Sequence, residues 1–250
     1  MKIFIFPLLF IFPILAGELH PYKVEGKPYE GYYQKATSNK SIAVLVAHAW
    51  KGIGEHERTV VDQLASLGYS TLAADVYGKG VRPADQNEAS AESKKHYGNR
   101  KELRSRIEAS RKELSRLTGL PESQIVAIGY CFGGTTVLEL ARSGAKVAGV
   151  VSFHGGIKPD LAQVPSKIST SVTALHGADD PYVPAEDVQS FVEEMKDQKA
   201  DWQLVHYGNS VHSFTFESAG VDNSKGAAFN QLANSRSWAL LLNFLDEKSQ

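Results

Sequence analysis

Short apolar runs rich in β-branched residues alternate along this chain with stretches whose apolar positions recur every three or four residues. Ile42 to Ala47, Ser70 to Ala74, Gln124 to Gly129, Val147 to Phe153, Ser171 to Leu175 and Trp202 to Tyr207 read as strands. Most are nearly unbroken apolar runs, the pattern of parallel strands covered on both faces. Glu57 to Leu67, Ala91 to Leu117, Thr135 to Ser143, Ala185 to Lys196 and Ala227 to Leu245 carry the helical period. In the second of these helices Leu103, Ile107, Leu114 and Leu117 share one face, so its many charges are simply the solvated side. The alternation predicts an α/β chain with a mostly parallel sheet and helices on both faces. Tyr29 to Gln34 predicts an antiparallel edge strand. Val76 to Asn99 is the longest irregular connection and is expected to form a lid or pocket wall.

The first residues follow a different pattern. Lys2 precedes an apolar run from Ile3 to Leu15, and the small residues Ala16 and Gly17 come next. This is the layout of a secretory signal peptide cleaved after Ala16 or Gly17, and the run is short for a membrane span. Residues 18–250 are then expected to form one domain, secreted or periplasmic, with no membrane attachment after cleavage. Lys and Arg total 27 against 28 Asp and Glu, a net charge of −1, which gives no footprint for nucleic acid. The chain has one cysteine, Cys131. An exported chain with one thiol forms no internal disulfide, so its surroundings decide whether the sulfur packs or reacts.

Those surroundings are Gly129-Tyr130-Cys131-Phe132-Gly133-Gly134, between a predicted strand and a predicted helix. This is the Gly-x-nucleophile-x-Gly elbow with cysteine as the nucleophile. The elbow places the sulfur at a helix N-terminus, where the helix dipole favours thiolate. An acid and then a histidine should follow in the chain. Asp179 and Asp180 adjoin the Pro181-Tyr182-Val183-Pro184 turn; Asp180 is the choice and Asp179 the reserve. His212, in the loop after the last strand, is the base, and His206 is its rival inside the strand. His48, His154 and His176 lie at strand ends and are expected at the pocket rim. No ligand spacing among these histidines supports zinc. The backbone N–H groups of Phe132 and Trp50 are the expected oxyanion donors.

Together these elements resemble the dienelactone hydrolase family of α/β-hydrolases. The Gly-Tyr-Cys-Phe-Gly-Gly elbow, Asp180 before Val183-Pro184, His212-Ser213-Phe214, and Leu64 to Gly78 carry the likeness, which runs from about Ile42 to Leu245. It implies a single-domain α/β-hydrolase fold and a Cys131, His212 and Asp180 triad that forms a thioester without metal or organic cofactor. Founding members carry a glutamate after the first core strand, where this chain has Ala49. Two arginines hold the substrate carboxylate there, and the matching positions here are Lys79 and Phe216. The expected partner is therefore an uncharged small-molecule ester or lactone, bound near Trp50, Phe132, Tyr182 and Phe214; a homodimer is left open. Activated phosphotriesters are an alternative substrate class. A catalytically idle binding module is a second alternative, which an intact triad disfavours.

Overall fold

In the computed structural model residues 16–38, 40–160 and 167–250 are described. They form an eight-stranded sheet in the order β1-β2-β4-β3-β5-β6-β7-β8. The parallel part comprises β4 (Thr71–Ala74), β3 (Ala43–Ala47), β5 (Ile125–Tyr130), β6 (Gly149–Phe153), β7 (Ser171–Gly177) and β8 (Trp202–Tyr207). All six strands match apolar runs in the sequence. The antiparallel strand at Tyr29 to Gln34 is also present, as β2 (Lys27–Gln34), but it does not form the edge. That place belongs to β1 (Glu18–Val24), which pairs with β2 from Glu18 opposite Tyr33 to Val24 opposite Lys27.

Helices cover both faces because alternate residues of each strand point opposite ways. Leu45, Ala127, Val150 and Ala174 pack under α3 (Arg100–Thr118), α4 (Phe132–Arg142) and α5 (Ala185–Gln198). Val44, Val46, Ile128 and Val151 pack under α1 (Glu55–Ser66) and α6 (Gln231–Lys248). The helix that carries the elbow is additionally tied by charge. Glu139 of α4, wholly buried, meets Arg104 of α3 at 2.8 Å and Arg142 at 3.0 Å, and Arg142 reaches Glu194 of α5 at 2.7 Å. Buried charges persist only when paired in this way, so α4 is pinned on two sides.

Two sequence expectations are corrected here. The single helix over Ala91 to Leu117 is two helices, α2 (Gln86–Tyr97) and α3, and much of the irregular stretch Val76 to Asn99 is helical. Asn99 causes the break: its side chain accepts the Glu102 N–H at 3.2 Å and starts a new helix. Asp85 does the same for α2, accepting the Glu88 N–H at 2.9 Å.

The segment read as a signal peptide lies outside the described residues except at Ala16 and Gly17. The Gly17 N–H donates to Asp62 Oδ1 at 3.0 Å. Among the described residues no helix is long and apolar enough to cross a membrane.

Candidate active site

The elbow forms where β5 meets α4. Cys131 has φ 54° and ψ −114°, an uncommon conformation for a residue with a side chain, and such backbone costs about 1–3 kcal/mol unless its surroundings impose it. Here they do. The Cys131 N–H donates to Phe153 O of the neighbouring strand at 3.0 Å. A Cβ on Gly129 would lie 2.1 Å from Gly133 O, so strand and helix touch backbone to backbone. Cys131 is left partly exposed at the start of α4, where free N–H groups leave partial positive charge.

His212 and Asp180 converge on that sulfur from two other strand ends. His212 Nε2 is 3.1 Å from Cys131 Sγ, and His212 Nδ1 is 2.8 Å from Asp180 Oδ2. The Asp180 side chain is wholly buried, and its other oxygen accepts the Tyr182 N–H at 2.8 Å. Asp179 is exposed, with its N–H donated to Ser210 O, so Asp180 is the residue that meets the imidazole. The His212 backbone is held too: its N–H donates to Gly226 O at 3.2 Å and its carbonyl accepts the Ala228 N–H at 3.0 Å. Burial works against a charge on His212. The negative charge of the sulfur and the bonds to Asp180 and Cys131 outweigh it, and its pKa is raised to about 10.

The three histidines expected at the pocket rim are buried instead. His48 and His154 are fully buried and His176 is nearly so. His206 is exposed on β8, its ring 5.2 Å from that of His176 in a T-shaped contact. His154 takes φ 39°, bonds Thr215 Oγ1 through Nε2 at 2.8 Å, and sets its ring edge-on to His212 at 5.2 Å. Burial and the nearby His212 push its pKa well down, so the ring is neutral.

The two expected oxyanion donors lie on adjoining segments. Phe132 is the first residue of α4, so its N–H has no acceptor within the helix. The first turn of α4 presses on the end of β3, where a Cβ on Gly133 would fall 2.1 Å from Ala47 O and 2.7 Å from His48 O. In the turn that follows, the Ala49 N–H is taken by Glu57 Oε1 at 3.0 Å, while no backbone hydrogen bond among the described residues uses the Trp50 N–H. The resemblance led to a missing glutamate at Ala49; a buried glutamate instead reaches that residue's backbone from α1. Burial raises the pKa of Glu57, and N–H donors of Ala49, Gly54 and Glu57 itself pull against the rise. The spacing from Gly54 to Glu57 is a helix-start signal, and it was visible in the sequence.

Tyr182 and Phe214, expected beside the substrate, and Phe216 and Lys79, at the family's two arginine positions, divide. Tyr182 is exposed, its ring 5.4 Å from His212, and Phe216 is half-buried, 5.4 Å from His154 and 4.2 Å from His56. Tyr182 is brought to the triad, and Phe216 packs behind it against His154, the neighbour of His212. Phe214 is not a wall: it is fully buried among His154 and Tyr207, because the turn bonding the Phe216 N–H to Ser213 O folds it inward. Lys79 is held on the β2 side, its N–H on Pro28 O and its ammonium 2.8 Å from Glu30. None of its hydrogen bonds or ion pairs involves Cys131 or His212. The Phe132 ring is core, packed against Tyr77 at 5.2 Å and Tyr97 at 5.5 Å, so only its backbone serves the site. Tyr77 and Tyr97 went unread in the sequence. Burial pushes both phenols up and the negative sulfur adds to it, which places them within electrostatic reach of Cys131.

The profile of the dienelactone hydrolase family matches residues 29–249. The chain belongs to the dienelactone hydrolase family. An uncharacterised Caenorhabditis elegans protein is 34% identical over 149 residues, covering 58% of this chain and 93% of that one. Carboxymethylenebutenolidase 1 of Cupriavidus pinatubonensis is 24% identical over 222 residues, covering 86% and 92%. Among solved structures, a dienelactone hydrolase-like promiscuous phosphotriesterase from metagenomic libraries superposes with a TM-score of 0.86 at 35% identity, covering 93% of this chain and 98% of that one. This member of the family is thus a hydrolase, and its mostly parallel sheet with helices on both faces is the fold class its sequence predicted.

Proposed function

We propose that this protein hydrolyses uncharged carboxylic esters or lactones through a thioester formed on Cys131. The observation that carries the reading is the unbroken line from Cys131 Sγ through His212 to Asp180, at 3.1 and 2.8 Å. The thiolate attacks the carbonyl carbon, and the charge that moves onto oxygen is met by the N–H groups of Phe132 and Trp50. Collapse of this intermediate breaks the bond to the alkoxide, which takes a proton from the His212 imidazolium. The neutral ring then removes a proton from water, hydroxide attacks the thioester, and the thiolate leaves. Asp180 keeps the ring in the required orientation throughout.

Substrate class follows from the side chains near His212 and His154 and from the pairing of Lys79. Tyr182 and Phe216 offer aromatic faces, and Lys79 is engaged by Glu30. A neutral aryl or alkyl ester fits these walls better than a carboxylated lactone. Phosphotriesters form a second reading, supported by the name of the similar metagenomic phosphotriesterase, since the same N–H pair can accept a phosphoryl oxygen. Lys2, the apolar run to Leu15 and the small residues Ala16 and Gly17 support export, to the periplasm or beyond the cell.

The test is direct. One equivalent of a haloacetamide should abolish hydrolysis of a chromogenic aryl acetate, and Cys131→Ala should lower kcat by at least about 10³. Normal turnover by the alanine variant would sink the mechanism.

A further inference from the structure

We propose that Glu57 is the positioning residue of the oxyanion loop, its buried carboxylate setting the aim of the Trp50 N–H. The inference rests on the reading that Trp50 donates to the oxyanion. In the loop between β3 and α1 three successive peptide groups are fixed by hydrogen bonds. The Ala49 N–H is held by Glu57 Oε1 at 3.0 Å. The Ala49 carbonyl accepts from His48 Nδ1 at 2.7 Å and from the Gly52 N–H at 3.0 Å. The Trp50 carbonyl accepts the Tyr77 hydroxyl at 2.9 Å. His48 can donate from Nδ1 because its Nε2 accepts the Val76 N–H at 3.1 Å, which selects that tautomer.

Fixing these carbonyls fixes the donor between them. In a trans peptide the N–H points opposite to the carbonyl of the same unit. The Ala49 carbonyl is turned towards His48 and Gly52, so the Trp50 N–H faces the other way, and it has no backbone acceptor among the described residues. A donor that is immobilised before substrate arrives needs no reorganisation when charge develops, which is the source of an oxyanion hole's power.

Glu57 stands at the base of this arrangement. Its second oxygen accepts the Gly54 N–H at 2.8 Å, so one carboxylate ties Ala49 near the start of the loop to Gly54 at the start of α1. A glutamate that only capped the helix would need a single oxygen and would sit in water. This one is 2% exposed, and burying a carboxylate is costly unless strong donors compensate. The carboxylate touches no reacting atom and acts wholly through the backbone.

The experiment compares two reactions of the same sulfur in the intact protein. Ester hydrolysis builds an oxyanion; alkylation by a haloacetamide displaces halide at a saturated carbon and builds none. Glu57→Gln keeps the shape but turns one acceptor into an NH2 group facing an N–H donor. Its kcat on an aryl acetate should fall about 10²-fold, with KM within about threefold and the Cys131 alkylation rate within about twofold. Tyr77→Phe, which removes only the hydroxyl on the Trp50 carbonyl, should show the same split at about tenfold. Unchanged hydrolysis in Glu57→Gln would overturn the proposal. So would parallel loss of hydrolysis and alkylation, because Glu57 would then support the fold or the nucleophile rather than the donor. Hydrolysis that survived complete alkylation of the unmodified protein would instead fail the Cys131 reading, since an oxyanion hole serves any nucleophile.

Discussion

Gly133 is where a single added carbon should do most damage. It lies in the first turn of α4, directly against the end of β3. A Cβ there would sit 2.1 Å from Ala47 O, 2.6 Å from Ala47 C and 2.7 Å from His48 O, all main-chain atoms that no rotamer change can clear. Ordinary contact begins at 3.4 Å, so helix and strand must part by roughly 1 Å along that line. Helix propensity pulls the other way, favouring Ala over Gly by about 1 kcal/mol. Overpacking costs of about 1–3 kcal/mol outweigh it, and a clash with backbone alone belongs at the upper end. Gly133→Ala should therefore destabilise by about 2 kcal/mol net. The movement shifts Cys131 and the Phe132 N–H away from the end of β3 and so from Trp50, and a misplacement near 1 Å costs about 10²-fold in rate. Aryl acetate kcat/KM and urea unfolding measure the two effects. Gly208→Ala is the control: its Cβ would meet nothing within 4 Å, and it should stay within about 0.5 kcal/mol of the parent. A Gly133→Ala protein with parental activity and an unchanged unfolding midpoint would refute the backbone-contact argument.

Further outcomes follow from the same geometry. Asp180→Asn should cut kcat severely while Asp179→Asn leaves most activity, since only Asp180 contacts the ring; the reverse ranking in steady-state assays would move the acid by one residue. His212 is raised to about 10, so the stability its protonation contributes is complete below its ordinary 6.5 and is lost as pH rises through about 10. NMR of the ring should show this titration, and Cys131→Ala, by deleting the sulfur's charge, should lower it; a ring titrating near 6.5 in the unmodified protein would count against the ion pair. For selectivity, kcat/KM on a neutral aryl ester should exceed that on a carboxylated dienelactone by at least about tenfold, and Phe216→Arg should narrow the gap. Equal turnover of the two by the unmodified protein would show another cation at the site.

What was legible in the chain depended on how local the signal was. The parallel strands announced themselves as apolar runs, and the elbow as glycines flanking Cys131 within six residues. Asp180 and His212 were readable because the elbow prescribes their order, though not their distance apart in space. Phe214 misled because periodicity says nothing in a loop, where one turn hydrogen bond decides which ring goes inward. The ion pair of Lys79 was not readable, because alignment of position carries no information about Glu30, which reaches it from β2. β1 was missed because Glu18–Val24 mixes His, Pro and Lys with its apolar positions, and Tyr22 finds its partners only in the fold: its hydroxyl donates to Asp75 O at 2.9 Å. Glu57 could be read as a helix cap and no further, since nothing in the sequence says that its second oxygen turns back to Ala49.

The spacing of the triad along the chain has a consequence for how the protein is made. His212 stands 81 residues after Cys131, beyond β6, β7 and β8. At about 5–20 residues per second, a ribosome completes His212 roughly 4–16 s after Cys131. During that interval the sulfur belongs to a growing chain that lacks the His212 imidazole. On the proposed mechanism the sulfur gains its base only once β8, at the far edge of the sheet, and the loop after it have formed.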